Sequence, residues 1–521
     1  MALLALVVAS GASAQLINRI NGRAGDANHV EDAAPLPNLD IGLAGDSVNF
    51  QDGVQSFATL SRVTPDGKPI WVKGFDFPGE YDTGVGVRPV SGGDIAFIFY
   101  TGVGNDAVTI ARTDALGALL WSRRYPGDYS YPPGGMKVED GQEQSIVFAN
   151  RYSTPEVSGG QLLRVSADTG AVELNNQYVG DPEYVFQVFF SDVVLGTEGE
   201  YFVTGGVYHF VPQLDQFKSD LLVARIDHTG AVLWSMVYDR VGGEFDLAEE
   251  GRGITITPRG NIAVIGRTSA PENSAAYDAS LQLIIDRSTG NLIASDLMDA
   301  VDPAPASLET TSGGDLLASG TYRFGDGQGT AQMWLIDPLD AHSIWRAEYP
   351  DGTTFGNDAI EPPLPAPRSD ANYVLVGANY ASSVTPIGQP DQMFIRTDSG
   401  GKDHCAAKIW TPEPMQIEVR VSAIALTAIS VQGTQDYTGQ VFDYVLDTRV
   451  LCSQNPCPCD LNGDGFVDDA DFVIFVVAYN ILDCTDPSMP PGCPADFNGD
   501  GFVDDADFVI FVPAYNTLLC P

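Results

Sequence analysis

Short apolar strands separated by turn residues recur along the chain from about residue 45 to 450. In one recurring half, an apolar run ends in an Asp/Gly turn, and a second strand carrying tryptophan follows. Leu60–Trp71, Ile110–Trp121 and Val223–Trp234 show this half best. The Asp/Gly pair is typical of a hairpin, and the alternation after it is typical of a strand with one buried face. The pattern predicts a mainly β region over residues 45–450.

A second half-repeat begins at a turn and continues through alternating apolar residues to a glycine. Gly260–Gly266, Gly314–Gly320 and Glu200–Gly205 are its clearest copies. Two halves make a unit of roughly 50 to 65 residues with four strands, which is the size of a propeller blade. The Asp turns of the first half lie at positions 66, 114, 168, 227, 286, 337 and 398. Their number predicts seven blades.

The Asp-x-x-Gly-x-x-x-Trp pattern, shortened in the first copy, is similar to the divergent β-propeller repeats of bacterial surface proteins. The resemblance implies a seven-bladed β-propeller, with six or eight blades and a β-sandwich array as alternatives. The last half-repeat, Ile417–Gly433, has no partner half. We expect it to close the ring by pairing with the first strand near Phe57. The recurring tryptophans are interpreted as core anchors between neighbouring sheets; they are Trp71, Trp121, Trp234 and Trp345.

Two segments near the C-terminus, starting at Cys457 and Cys493, align almost residue for residue at a shift of 36. In each, oxygen-bearing side chains occupy loop positions one, three, five, nine and twelve, and glycine occupies position six. Calcium binds six to eight oxygen ligands, which a looped backbone supplies at alternate residues, with position seven giving its carbonyl. We therefore predict two Ca²⁺ ions. The predicted ligands are Asp460, Asn462, Asp464, Phe466, Asp468 and Asp471, and Asp496, Asn498, Asp500, Phe502, Asp504 and Asp507.

The loops depart from an ordinary EF-hand, because position twelve is aspartate and Cys-Pro stands where an entering helix would lie. A tandem of loops, each with only an exiting helix, resembles the type I dockerin module of secreted bacterial glycan-degrading proteins over residues 455–521. The resemblance implies helices from Asp471 and Asp507 that pack with pseudo-two-fold symmetry, and a cohesin-like partner. These helices contain no Lys or Arg. Dockerins use basic residues of these helices to contact the partner, and here those residues are missing. An attachment or sorting domain stabilised by calcium is therefore an equally good interpretation.

Of the seven cysteines, all but Cys405 lie at or after residue 452. This clustering in an exported module favours disulfides over zinc, since no histidine lies nearby to complete a zinc site. The equal intervals Cys457–Cys484 and Cys493–Cys520 favour one disulfide within each repeat. The crossed pairing, Cys457–Cys520 with Cys484–Cys493, stays open.

Residues 1–14 form an apolar run that ends in Ala-x-Ala, which is typical of a secretory signal cleaved after Ala14. Residues 15–44 are interpreted as a linker or leader. No later segment offers the ~20 apolar residues of a membrane span. The formal net charge of -42 disfavours nucleic acid and anionic lipid as partners. The sequence thus predicts an exported protein, secreted or at the cell surface.

No nucleophile elbow, P-loop, zinc-binding helix or dinucleotide fingerprint occurs in the chain. The carboxylate pairs Glu249–Glu250 and Asp239/Asp246 have the chemistry that a glycosidase uses, but we assign no catalytic residue. The favoured function is a binding or scaffold protein with a calcium-stabilised attachment module and polysaccharide as a candidate ligand. A dockerin-bearing glycoside hydrolase or lyase and a passive surface-layer component are the alternatives.

Overall fold

The chain divides into two compact units, Ile17–Cys452 and a second that contains Ser453–Pro521. The computed structural model describes residues 17–23, 26–49, 55–77, 82–101, 107–126, 134–139, 141, 143–153, 158–183, 185–211, 216–241, 249–268, 279–298, 303–323, 329–350, 354–362, 373–380, 390–403, 407–412, 415, 417–436, 440–453, 459, 461, 467–484, 486, 488–490, 493–497 and 501–517. The proposed signal sequence, residues 1–14, lies outside these ranges. No helix in the described ranges is long and apolar enough to span a membrane.

The first unit is a seven-bladed β-propeller, with one antiparallel sheet per blade in the described residues. A single strand, β1 (Ile17–Gly22), precedes the blades. Blade 1 holds β2 (Asp26–Pro35), β3 (Ile41–Asn49), β4 (Gln55–Val63) and β5 (Pro69–Asp76), and blade 2 holds β6 (Asp82–Pro89), β7 (Ile95–Thr101), β8 (Ala107–Thr113) and β9 (Leu119–Pro126). Blade 3 holds β10 (Gly135–Glu139), β11 (Ser145–Ser153), β12 (Ser158–Ser166) and β13 (Val172–Val179). Blade 4 holds β14 (Val185–Leu195), β15 (Tyr201–Val211), β16 (Gln216–Ile226) and β17 (Val232–Val241).

The remaining blades continue the same order. Blade 5 holds β18 (Glu249–Ile256), β19 (Ile262–Thr268), β20 (Ala279–Ile285) and β21 (Leu292–Met298). Blade 6 holds β22 (Pro303–Thr310), β23 (Leu316–Arg323), β24 (Gly329–Ile336) and β25 (Ser343–Tyr349), and blade 7 holds β26 (Thr354–Ile360), β27 (Tyr373–Asn379) and β28 (Asp391–Thr397). Short 3-10 turns at Pro37–Leu39 and Ser91–Gly93 join the first two strands of blades 1 and 2.

The ring is closed by its N-terminal strand. β1 pairs antiparallel with β28 and supplies the fourth strand of blade 7. Two predictions are therefore wrong. Residues 15–44 are not a linker, because they contain β1, β2 and the start of β3. Ile417–Gly433 does not close the ring near Phe57, which lies in β4 between β3 and β5.

The seven Asp turns lie where the sequence repeat predicts a hairpin, after the third strand of each blade. Glycine follows the aspartate with positive φ in most of them, as in Gly117 (φ 80°) and Gly290 (φ 74°), because the turn needs a left-handed residue that glycine adopts without strain. Blade 6 carries Ala341 there, at φ 66°.

Tryptophan and tyrosine side chains fasten five of the blades to the next blade of the ring. Trp71 Nε1 donates a 3.2 Å hydrogen bond to the Ala115 carbonyl, in the Asp turn of the following blade. Trp121 and Trp234 repeat this contact, at 3.1 and 3.2 Å. Four residues after a tryptophan, Tyr238 donates to the turn carbonyl of Gly290 at 2.6 Å. The interpretation of the tryptophans as anchors between neighbouring sheets is confirmed.

A last segment of the first unit runs around the outside of the ring. We call residues 408–453 the belt. Its strands are β29 (Lys408–Trp410), β30 (Glu418–Ala423), β31 (Thr427–Ser430), β32 (Gln435–Asp436), β33 (Gln440–Asp443) and β34 (Asp447–Ser453). In the described residues they add a fifth, outermost strand to blades 6, 4, 3, 2, 1 and 7, in that order. Strand edges left open promote association, and the belt covers them.

Blade 5 has no belt strand in the described residues, yet the belt still touches it. Leu297 N donates to Met415 O at 3.2 Å, and Met415 N donates to Asp296 Oδ1 at 2.7 Å. Near its end the belt inserts Tyr444, whose hydroxyl donates to Asp26 Oδ2 at 2.7 Å and whose ring packs edge-on against Phe57. The belt is thus an integral layer of the propeller.

The second unit holds two helices, α1 (Asp469–Tyr479) and α2 (Asp505–Thr517). Phe475 and Phe511 stack with ring centroids 5.1 Å apart. Tyr479 donates to Asp505, and the equivalent Tyr515 donates to Asp469. Because these contacts exchange under the shift of 36, the two repeats pack with the expected pseudo-two-fold symmetry.

The described disulfide joins Cys484 to Cys493, between the two repeats. The preferred pairing within each repeat is therefore wrong for these two residues, and the crossed alternative holds for them. Cys457 and Cys520 lie outside the described residues. Cys459 is a buried thiol that packs with Val467 and Phe475.

Candidate functional site

The second predicted calcium loop is described at positions one, seven, nine and twelve. Asp496, at position one, accepts a hydrogen bond from the Gly501 N–H at 2.9 Å, which closes the loop at its glycine. Asp507, at position twelve, is fully buried, and its two oxygens accept from the N–H groups of Phe497 (2.7 Å) and Asp504 (2.9 Å). The carboxylates of the two ends of the loop are therefore held by the loop backbone itself.

The first loop repeats the arrangement at position twelve. Asp471 is fully buried and accepts from Leu461 N at 2.7 Å and Asp468 N at 3.0 Å. The same pair also starts α1, because Asp468 is its N-cap and the two side chains form a reciprocal capping box. Positions nine and twelve thus have a structural role besides the predicted one.

The other predicted ligands, Asp460, Asn462, Asp464, Phe466, Asn498 and Asp500, lie outside the described residues. What is described fits a hard divalent cation, since the donor set is oxygen and the loop turns at glycine. The group Cys484, Cys493 and Asp496 is not a metal site, because its two sulfur atoms form the disulfide.

The propeller has a central cavity of about 380 Å³, lined by the first strands of all seven blades. Each lining strand except β10 carries a register shift that marks a β-bulge. A bulge turns the extra residue out of the regular alternation. In each of these six strands one extra residue lines the cavity; these residues are Glu31, Val85, Ser191, Arg252, Ala306 and Asn357.

The glycine that ends the second half-repeat lies opposite five of the six bulges at the cavity, and Phe99 takes that position in blade 2. Gly45 in β3 and Gly377 in β27 lie opposite bulges, and a Cβ there would come within 1.9 Å of the His29 carbonyl and 1.8 Å of the Phe355 carbonyl. Gly205, Gly266 and Gly320 hold the same register position. The glycine pattern read from the sequence therefore positions the residues of the cavity.

Several cavity carboxylates fasten neighbouring blades. Asp32 accepts from Val87 N at 2.7 Å, Asp192 from Ile254 N at 3.0 Å, and Asp358 from Ala33 N at 3.0 Å. Each contact runs from the residue after a bulge to the next blade. These aspartates satisfy backbone N–H groups at the ring centre, so their first role is structural.

Cationic side chains share the cavity. Arg88 Nη1 lies 2.5 Å from Asp32 Oδ2. Arg252 and Arg267 both contact Glu250, at 2.9 and 2.8 Å, and Tyr208 donates to it at 2.6 Å. The Lys137 side chain has no hydrogen bond or ion pair within the described part of the chain, but its charge acts on Asp192 and Glu309. Two arginines and a tyrosine thus hold the Glu250 carboxylate in place, which gives it a structural role.

Burial changes the protonation of the cavity acids. Desolvation raises the pKa of Glu31 to about 7, with Asp46 adding to the shift. It raises the pKa of Glu309 to about 8 and that of Asp358 to about 7. These three carboxyls hold protons close to neutral pH because burial disfavours their charged form.

Glu249, the other member of the predicted glycosidase pair, lies in a separate buried cluster. Lys218 Nζ stands between Asp239 (2.6 Å) and Asp220 (3.2 Å), and Glu249 Oε1 accepts from Thr268 at 2.8 Å. Desolvation raises the pKa of Glu249 to about 9. The ammonium group occupies the position between the carboxylates, so the cluster is an internal ion network. Asp246 lies outside the described residues.

No protein-family profile matches the chain, and no curated protein matches it. A solved protein of unknown function from Dyadobacter fermentans DSM 18053 is similar at 11% identity and TM-score 0.40, over 74% of this chain and 100% of that one. An ulvan lyase is similar at 9% identity and TM-score 0.42, over 73% and 94%. Drosophila Plexin A in complex with Semaphorin 1b gives 10% identity and TM-score 0.37, over 73% and 86%. At these identities only the fold is compared.

Proposed function

We propose that this protein is an exported binding scaffold, with the propeller as the binding unit and the C-terminal repeat as a calcium-dependent attachment module. The observation that carries the proposal is the matching geometry of the two loops. In both, the position-twelve aspartate is fully buried and accepts from the N–H groups of positions two and nine. Two copies of one loop, held in one geometry, are what a pair of cation sites requires.

In this proposal Asp460, Asn462, Asp464, Asp468 and Asp471 hold the first ion, with the Phe466 carbonyl. Asp496, Asn498, Asp500, Asp504 and Asp507 hold the second, with the Phe502 carbonyl. The bound ions neutralise carboxylates that otherwise repel one another, and so stabilise a unit with a small core. The partner is a protein or polysaccharide of the cell surface, and a cohesin-like receptor is one form that it takes.

The binding role is favoured over a glycan-active enzyme by the cavity lining. Sites that act on sugars place aromatic platforms beside their carboxylates. The described lining contains one aromatic residue, Phe355. Its aspartates are engaged with backbone N–H groups of neighbouring blades.

Calcium titration calorimetry on the full chain, with its disulfides intact, tests the metal sites. We expect two ions per chain, and none for the double variant Asp464→Ala/Asp500→Ala. Position five is chosen because it lies outside the helix cap, so the loss is not a capping effect. Glu143→Gln, an exposed acid of the propeller, is the control and keeps both ions. Two retained ions in the double variant would contradict the assignment.

Cell fractionation tests the attachment. We expect the native chain to stay with the envelope of the producing cells in calcium and to be released by a chelator. A chain that ends at Ser453 is expected in the medium under both conditions. If the shortened chain also remains with the envelope, the C-terminal unit is not the attachment module.

A further inference from the structure

We propose that the central cavity binds a small organic amine, with Glu31 and Glu309 as the carboxylates that receive its ammonium group. The inference rests on the binding role proposed above for the propeller and gives it a ligand class. A cavity of about 380 Å³ lies within the size range of small-molecule sites, roughly 300 to 1,000 Å³.

The charges around the cavity leave an excess of acid. The acidic residues are Glu31, Asp32, Asp192, Glu309 and Asp358, together with Glu250 behind them; the basic residues are Arg88, Lys137, Arg252 and Arg267. Because Arg252 and Arg267 share Glu250, they balance little of the rest. With all six acids ionised, two negative charges have no basic counterpart, and protons on the buried carboxyls balance this excess when no cation is bound. A buried excess of this kind favours a cationic ligand.

Glu31 and Glu309 are the acids available to a ligand. The three aspartates hold N–H groups of the next blade, as described above. Glu31 has no hydrogen bond or ion pair to any described residue, and it projects from the bulge of β2. Glu309 accepts one hydrogen bond, from Glu361 N at 2.5 Å. Neither carboxylate has a basic side chain in direct contact within the described ranges.

A further polar group points to a ligand in the same cavity. Ser191, the bulge residue of β14, lines the cavity and is only 3% exposed, and its Oγ has no hydrogen-bond partner among the described residues. A buried hydroxyl without a partner costs about 1–3 kcal/mol, so such groups are normally satisfied by protein, water or ligand. An amine or a hydroxyl of the ligand is a suitable partner.

The arrangement favours an organic cation over a metal ion. A metal requires several oxygens around one point. In the described residues, the all-carboxylate group close enough for this is Asp220, Asp239 and Glu249, outside the cavity. The cavity acids instead stand apart around a larger volume. A molecule with spaced donors matches that spread.

The release of protons from Glu31 and Glu309 on binding is a second measurable quantity. Glu31 faces His29, Asp32 and Asp46, and Glu309 faces Asp358, Lys137 and Arg88. Without ligand, their pKa values of about 7 and 8 leave Glu31 about half protonated and Glu309 mostly protonated near pH 7. An ammonium group beside them lowers those pKa values. Binding at pH 7 is therefore expected to release protons.

The test is calorimetric titration of the full chain with 1,4-diaminobutane at pH 7, in two buffers of different ionisation enthalpy. We expect binding with proton release, and no binding of 1,4-butanediol or succinate, which have similar size but no positive charge. The isosteric double variant Glu31→Gln/Glu309→Gln is expected to lose about tenfold or more in affinity. Glu143→Gln, an exposed acid, is expected to leave affinity unchanged.

The proposal is overturned if the native chain does not bind the diamine, if the diol binds equally well, or if the double variant keeps full affinity. The comparison of the three probes uses the native chain, so it stands even if the variant fails to fold. Calcium uptake by the C-terminal loops is measured on the same sample first. A failed amine titration with two calcium ions bound therefore refutes the cavity ligand and leaves the attachment module standing.

Discussion

Glu249 shows how a single buried acid links the stability of the ring to pH. Its side chain is fully buried at the start of β18, Thr268 satisfies Oε1, and Oε2 has no hydrogen-bond partner among the described residues. Because desolvation raises its pKa from 4.5 to about 9, the folded protein keeps a proton that the unfolded chain releases. Its favourable contribution is complete below about pH 4.5 and is lost progressively as pH rises toward 9.

We therefore expect Glu249→Gln to raise the thermal unfolding midpoint at pH 8 and to have little effect at pH 4.5. The amide mimics the protonated carboxyl and does not titrate. Thermal unfolding of the native chain and the variant between pH 4.5 and 9 measures the difference. A midpoint difference that stays constant over this range would show that Glu249 ionises normally in the folded state.

At the scale of single elements, the hairpin after the third strand of a blade packs against the fourth strand of the blade before it. This fourth strand is the one that carries the recurring tryptophans. A Cβ on Gly117 would lie 2.8 Å from Lys73 Cγ and 3.0 Å from Trp71 Cζ3. Ala341 takes the place of this glycine in the turn of blade 6. The neighbouring blade 5 carries the smaller Ala294 at the tryptophan position, in the same hydrophobic cluster. Turn residue and strand residue are thus matched in size.

Gly117→Ala is therefore expected to cost more than the left-handed backbone alone, which costs about 1–2 kcal/mol. Overpacking against Trp71 adds about 1–3 kcal/mol. Gly260→Ala is the matched control, because Gly260 also has positive φ (82°) but nothing lies within 4 Å of the added Cβ. Denaturant unfolding of the three proteins measures the costs. Equal losses in the two variants would contradict the packing argument.

The elements that the sequence predicted well are those with a local signal. The Asp turns fix seven hairpins, and the tryptophan pattern indicates contacts between blades, because both depend on residues close in the chain. The sequence analysis did not identify four tyrosines that donate to a carbonyl in the turn of the next blade. Each lies eight residues after the positive-φ residue of its own blade's Asp turn; they are Tyr125, Tyr178, Tyr238 and Tyr349. A tyrosine four residues after the tryptophan, or after the leucine that replaces it, is the sequence pattern that identifies them.

Other features have no local signal. β1 and the belt are single strands without repeat partners, so nothing near them in the sequence shows which edge they join. The sequence has 69 acidic residues, and no local pattern separates the cavity acids from the others. The bulged strands of the folded ring show which of them face its centre. The calcium loops remain a prediction from spacing, with the described carboxylates placed consistently with it.

At the scale of the whole molecule, the belt is the outer layer of the propeller. It adds strands to six blades in the described residues and touches blade 5 through Met415. Ion pairs such as Lys73–Asp443 and Arg123–Asp436 join it to the strands beneath. Without it, these outer strands present unpaired N–H and C=O groups, which pair readily with other chains.

A chain that ends at residue 407 is therefore expected to keep a closed ring, through β1, but to unfold at lower temperature and to associate at micromolar concentration. A chain that ends at Ser453, which keeps the belt and lacks the C-terminal unit, is the control and is expected to stay monomeric. Light scattering during size-exclusion chromatography gives the molar mass. A monomeric short chain with an unchanged unfolding midpoint would contradict the role of the belt.

The direction of the belt has a consequence for how the protein folds. Its first pairing, Trp410 on Arg346, is near in sequence, and a late contact, Thr448 on Asn21, joins residues 427 apart. Each pairing brings the next one within reach, so the entropy of closing the longest loop is spread over successive short steps. The belt is therefore expected to pair first with blade 6 and last with blade 7, where its final strand covers the N-terminal strand β1 that closes the ring.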